Sequence, residues 1–170
     1  MRFQNFGNQV RLQQLRGAMI DYYQGDASRI YHFSMVYTFV QWIAEGEALD
    51  EETQYLLAVL ALIHDVGFKA AVKKHGRCNT KLQEREGPPV AGNILSQLGF
   101  SPILIARVVQ IIGRHHTYED IDGMDCQILI EAEILANIHE GYEGMSHDFD
   151  VYRKLFVTKA GKELLCKMRG

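Results

Sequence analysis

LLAVLALIHDVGFK, Leu56 to Lys69, is an apolar run of about two helical turns that stops at His64-Asp65 and then Gly67. A segment this apolar belongs inside a protein, where His and Asp are costly unless something satisfies them. A bound cation would satisfy both, because neutral imidazole and carboxylate are ligands for Zn, Mn, Fe or Ni. For the dipeptide by itself, the other reading is a hydrogen-bonded His-Asp pair at a helix end. His147-Asp148 is a second such dipeptide, set between Ser146 and Phe149 in a polar stretch. The setting therefore decides, not the pair.

Around the first pair the setting is specific. Upstream lies DASRIYHFSMVYTF, Asp26 to Phe39, with Arg29 one turn before His32. Downstream lie QEREGPPVAGNIL (Gln83 to Leu95), VVQIIGRHHTYED (Val108 to Asp120) and QILIEAEILANI (Gln127 to Ile138). The order is His, His-Asp, a polar ligand before Gly-Pro, His-His, then an acid in an apolar helix. From Asp26 to Glu140 this resembles the HD-domain superfamily of metal-dependent phosphohydrolases.

Composition agrees with an ordinary folded domain. The chain has 170 residues, enough for one core, with 47% hydrophobic and 23% charged residues. A net charge of -3 argues against binding a nucleic-acid polymer, which needs a basic surface. No apolar run approaches about 20 residues, so no membrane span is expected. Cys78, Cys126 and Cys166 are odd in number and widely spaced, as reduced thiols of a cytoplasmic protein would be.

Apolar residues recur at three and four, and alternating strand-like runs are hard to find. The spacing predicts helices over Val10–Tyr23, from Asp26 or Ser28 to about Ala44, and from Asp50 through Ile63. A short helix Phe68–Lys74 is expected to close at Gly76, with residues 76–81 as loop. Pro88-Pro89 suits the first turn of a helix to Leu98, and Ser101-Pro102 starts another reaching Arg114-His115. Cys126–His139 is expected to be central, being apolar on nearly every side, and Lys159–Met168 is a modest last helix. Together with the resemblance this implies an all-α, single-domain helical HD-domain bundle over residues 1–170, its motif core at about 26–140.

Consecutive helical residues point about 100° apart, so His64 and Asp65 reach one cation only if it lies beside the helix wall. Further ligands must converge from neighbouring helices, and His32 with an acid from Cys126–His139 are natural contributors. The resemblance implies that this acid is Glu133, in Glu131-Ala132-Glu133. Family members usually carry Asp there; the extra methylene moves the carboxylate by over an ångström and bears on which metal is held. The other reading of Glu133 is a buried ion-pair acid. Glu131 points well away from it.

The resemblance also implies a second metal position, where a His before Gly-Pro and a later His join the bridging aspartate. Here Glu86 precedes Gly87-Pro88, followed by His115-His116. Glu86 with His115 or His116 can hold a second Mn, Fe or Mg; a helix cap or ion pair is the other reading of Glu86. Two metals about 3.5–4 Å apart, or one alone, activate water and polarise a phosphoryl oxygen. Superfamily members place a Lys just after His-Asp, so Lys69 is expected at the substrate phosphate, catalytic beside Asp65. Arg29 and Arg114 are further phosphate-binding candidates.

The implied activity is that of a divalent-metal-dependent phosphohydrolase with one or two ions of Mn, Fe, Ni, Co, Zn or Mg. The implied substrate is a small phosphomonoester or phosphodiester, a nucleotide foremost, and a homo-oligomer stays open. Two rivals stand beside it: a di-iron HD-fold oxygenase, and a non-catalytic module that binds metal or nucleotide.

Overall fold

The computed structural model describes residues 2–140 and 149–169, so the dipeptide His147-Asp148 lies outside the described residues. These residues are helical, with no strand among them. In order they form α1 (Arg2–Tyr22), α2 (Ala27–Gly46), α3 (Glu51–Ile63), a 3-10 turn (His64–Val66), α4 (Gly67–His75) and α5 (Thr80–Gln97). There follow α6 (Pro102–Ile112), α7 (Gly123–His139), α8 (Phe149–Arg153) and α9 (Lys159–Arg169).

Side-chain caps set the starts. Asp26 accepts from the Arg29 N–H to open α2, Asp50 from Thr53 to open α3, and Ser101 from Leu104 to open α6. Gly76, at φ 71°, ends α4 in the left-handed region where a Cβ is penalised.

Helix α3 is the centre. Leu57 to Ile63 are all buried, with α1, α2, α6 and α7 packed around them. Helix α7 is buried without interruption from Cys126 to Ala136, as its all-round apolarity predicts. The α3–turn–α4 run, Glu51–His75, is long and apolar enough by composition to cross a membrane. The 3-10 turn joins two helices that the sequence shows as separate apolar pieces. Of its most apolar window, 67% is buried inside the protein, as befits a core helix.

Two expectations need correction. Helix α1 starts at Arg2 rather than Val10. Helix α5 starts at Thr80, and Pro88 and Pro89 sit inside it rather than in its first turn. Asn79 supplies the cap, accepting from the Leu82 N–H, so residues 80 and 81 are helix and not loop. The helix survives its prolines because it is pressed against the 3-10 turn and α4. A Cβ at Gly67 would collide with the Gln83 carbonyl oxygen and lie 2.8 Å from the Gly87 nitrogen. This glycine contact brings α5 against the His64-Asp65 turn.

Candidate metal centre

Two helix ends aim the histidines. His64 follows the last residue of α3 and His115 lies three residues past Ile112, the last of α6. Carbonyls in the last turn of a helix lack intrahelical partners, and here they accept imidazole protons. His64 Nδ1 donates to the Ala61 carbonyl at 2.9 Å, and His115 Nδ1 to the Ile112 carbonyl at 2.9 Å. Both Nε2 atoms are thereby left with lone pairs turned inward.

His32 on α2 is fixed by an acid instead. Its Nδ1 donates to Glu140 Oε1 at 2.9 Å, just beyond the end of α7. His32 Nε2 then faces His64 Nε2 at 3.3 Å, and each lies 3.5 Å from an oxygen of Asp65. Two imidazole lone pairs this close repel each other unless something positive sits between them and the carboxylate.

Asp65 is held from several sides. Arg29 Nη1 donates to Oδ2 at 2.8 Å, and the Gln83 amide donates to Oδ1. The Tyr23 hydroxyl donates to the Asp65 main-chain carbonyl at 2.7 Å. Burial raises a carboxyl, but His64, His115, His32 and Arg29 outweigh it and hold Asp65 well below the usual carboxylate range. Glu133 is lowered in the same way, with burial overcome by His116, His115 and His64.

On the far side, His116 Nδ1 lies 3.5 Å from Glu133 Oε1, and His115 Nε2 lies 3.8 Å from Asp65 Oδ1. Glu84 anchors this turn by accepting from the His116 N–H at 2.9 Å. Burial pushes His64 down to about 4 and also lowers His116. Burial acts on His115 too, but Asp65 and Glu133 overcome it and raise that imidazole to about 9. The two buried carboxylates create a place for positive charge.

The donor chemistry fits a divalent ion. His32, His64, Asp65 and Glu133 offer ligand atoms within 4.8 Å of one another, and so do Asp65, His115, His116 and Glu133. Donors about 2.0–2.2 Å from an ion lie at most roughly 4.4 Å apart, so a small contraction closes either set. His115 Nε2, His116 Nε2 and Glu133 Oε2 are buried without any hydrogen-bond partner, a costly state that an ion would relieve.

The structure thus brings together His32, His64, Asp65, His115, His116 and Glu133, with Arg29 at the edge. Three expected residues lie elsewhere. Glu86 is not among the cluster: its carboxylate accepts from Lys74, His75 and Arg85 at 2.9–3.0 Å, the ion-pair alternative for that residue. Lys69 turns away from the site, donating to the Tyr22 carbonyl at 2.5 Å at the electronegative end of α1. Arg114 bonds to the main-chain carbonyl and carboxylate of Asp120 and does not line the pocket. Glu131 faces the opposite way, accepting from the Val157 and Thr158 N–H groups.

Sequence reasoning missed Gln83 and Glu140. Gln83 begins the buried stripe Gln83, Gly87, Ala91, Leu95 of α5, visible only once Asn79 is recognised as the cap. Glu140 lies seven residues after Glu133, on the same face of α7, with Asn137 between them.

Above the cluster opens a cavity of about 410 Å³ whose lining includes Arg29, Phe68, Asn79, Thr80, Tyr118, Asn137 and Tyr152. Arg29 stacks on Phe68, its guanidinium 3.8 Å from the ring centre.

No protein-family model and no curated protein matches the chain. Among solved structures, it is similar to a predicted HD superfamily hydrolase from an uncultured Thermotogales bacterium, at 21% identity. That match covers 91% of this chain and 83% of the other, with a TM-score of 0.67. The likeness shows the fold: this is an all-α HD-domain bundle.

Proposed function

We propose that this HD-domain chain is a divalent-metal-dependent phosphohydrolase acting on a phosphomonoester of nucleotide size. One observation carries the reading. The Nε2 lone pairs of His32 and His64 face each other at 3.3 Å beside the Asp65 carboxylate, an arrangement stable only around a cation. His32, His64, Asp65 and Glu133 would hold such an ion, with His115 and His116 alongside. When bound, it supplies Lewis-acid polarisation of a phosphoryl oxygen and activation of water.

The rest is this chain's own work. Arg29 is the one Lys or Arg among the residues lining the cavity, and a phosphoryl oxygen entering there meets its charge. A single arginine suits one phosphoryl group better than a polyphosphate. Phe68, Tyr118 and Tyr152 offer apolar faces to a base or sugar, and Asn79 and Asn137 offer amides. Burial raises the Tyr118 phenol, so it stays protonated and donates a hydrogen bond at neutral pH. The volume falls within the range of about 300–1,000 Å³ that small-molecule pockets occupy.

The test is turnover of an aryl phosphate and of nucleoside mono-, di- and triphosphates by metal-stripped protein given Mn, Co, Ni or Mg. Monophosphates are expected to show at least about tenfold higher kcat/KM than triphosphates. His64→Ala is expected to abolish turnover while circular dichroism stays unchanged. Nucleotide binding without turnover for every metal would favour a binding module, and dioxygen uptake with an iron-oxo absorption band would favour an oxygenase.

A further inference from the structure

We infer that Glu133 is shared between two adjacent cation positions, so that both carboxylates of the centre, Asp65 and Glu133, are common to a pair of ions. This rests on the metal-centre reading above and adds to it the number of ions and the residue that sets it.

The donors divide into two groups of four. One contains the imidazoles of His32 and His64, the other those of His115 and His116, and each contains both Asp65 and Glu133. If a single ion were held by the first group, His115 and His116 would be spectators. Yet both of their Nε2 atoms are buried with no partner, and so is Glu133 Oε2. Three orphaned donors on one side of the cluster amount to an unmet demand for positive charge on that side. Nothing else described there meets it: Arg29 approaches Asp65 from the α2 side, and Glu84 engages only the His116 main chain and Thr117.

Side-chain length explains why a glutamate stands here. Helix α7 packs along α2, which carries His32. A carboxylate on α7 must extend past that neighbour to reach the turn after α6, where Glu133 Oε1 lies 3.5 Å from His116 Nδ1. An aspartate would draw back by over an ångström toward α7. It would stay beside His32 and leave the His116 side. Glu133 is therefore the residue that makes the second position, and both His115 and His116 serve as its ligands.

Protein stripped with chelator and titrated with Mn2+ by calorimetry, with no substrate present, reads this directly. The wild-type chain is expected to bind two ions, and Glu133→Asp only one. His116→Ala is expected to lose the same ion, so the result does not hang on one variant; circular dichroism reports that each is folded. Paramagnetic resonance provides a second readout: an exchange-coupled Mn pair in the wild type and isolated Mn in Glu133→Asp. Glu133→Asp that holds two ions, or none, overturns the inference. A wild-type chain that binds one ion also overturns it but leaves the hydrolase reading standing, because one metal suffices for that chemistry. A wild-type chain that binds none overturns both.

Discussion

His64 and His115 each give an Nδ1 proton to a carbonyl three residues back, and this local rule predicts how the metal-free protein responds to pH. His64 titrates near 4 in the fold against 6.5 in a free imidazole, so the unfolded chain binds more protons between those values. Stability from this group is lost as pH falls from 6.5 through 4. Glu86, held down to about 2 by His75, Lys74 and Arg85, loses its contribution as pH falls from 4.5 through 2. His115 has the opposite sign: raised to about 9, it binds more protons when folded, and stability is lost as pH rises from 6.5 through 9. Urea midpoints of metal-free protein are expected to peak near pH 6.5, and Glu86→Gln is expected to flatten only the most acidic limb. Gln83→Leu removes a donor from the buried Asp65 carboxylate. Its expected effect is metal binding weaker by about 10- to 100-fold, measured by calorimetry, since outer partners of ligands commonly matter that much. His32, His64, Asp65 and Glu133 were legible as a set because each interrupts an apolar helical pattern. Gln83 was not, because a glutamine carries no such contrast until its helix is known.

Among the elements, the crossing of α5 over the His64-Asp65 turn is the most demanding contact. Gly67 has no room for a Cβ against the Gln83 carbonyl and the Gly87 main chain, and main chain yields less than a side chain. Gly67→Ala is expected to cost about 1–3 kcal/mol in urea unfolding. Because the shift displaces the turn that carries both ligands, metal affinity should fall with it. An Ala at Gly92, where a Cβ would sit 3.6 Å from a Val109 methyl, is the control expected to cost less. The starts of α2, α3 and α6 were legible from Asp26, Asp50 and Ser101, whose side chains bond three residues ahead. The start of α5 was hidden because Pro88-Pro89 imitates a helix opening. Local preference placed the helix start at the prolines; packing against α4 and the 3-10 turn moved it eight residues earlier, to Thr80.

For the whole molecule, ligands contributed by α2, the 3-10 turn, the turn after α6 and α7 make the metal a tie across the bundle. An ion that binds only the folded state at 1,000 times its Kd adds about 4 kcal/mol, roughly 8–16 °C in a domain of this size. Thermal unfolding with and without chelator is expected to differ by that amount, and the difference should vanish in His64→Ala. By itself the sequence determined the all-α class, the central helices α3 and α7 and the histidines and acids of the cluster, because each is a matter of periodicity or of a polar residue in apolar surroundings. Only the tertiary structure decided that Glu86, Lys69 and Arg114 serve elsewhere, and that Gln83 and Glu140 hold the ligands. Long charged side chains reach several ångströms in any direction, and which partner they meet depends on helix crossings that no local pattern encodes.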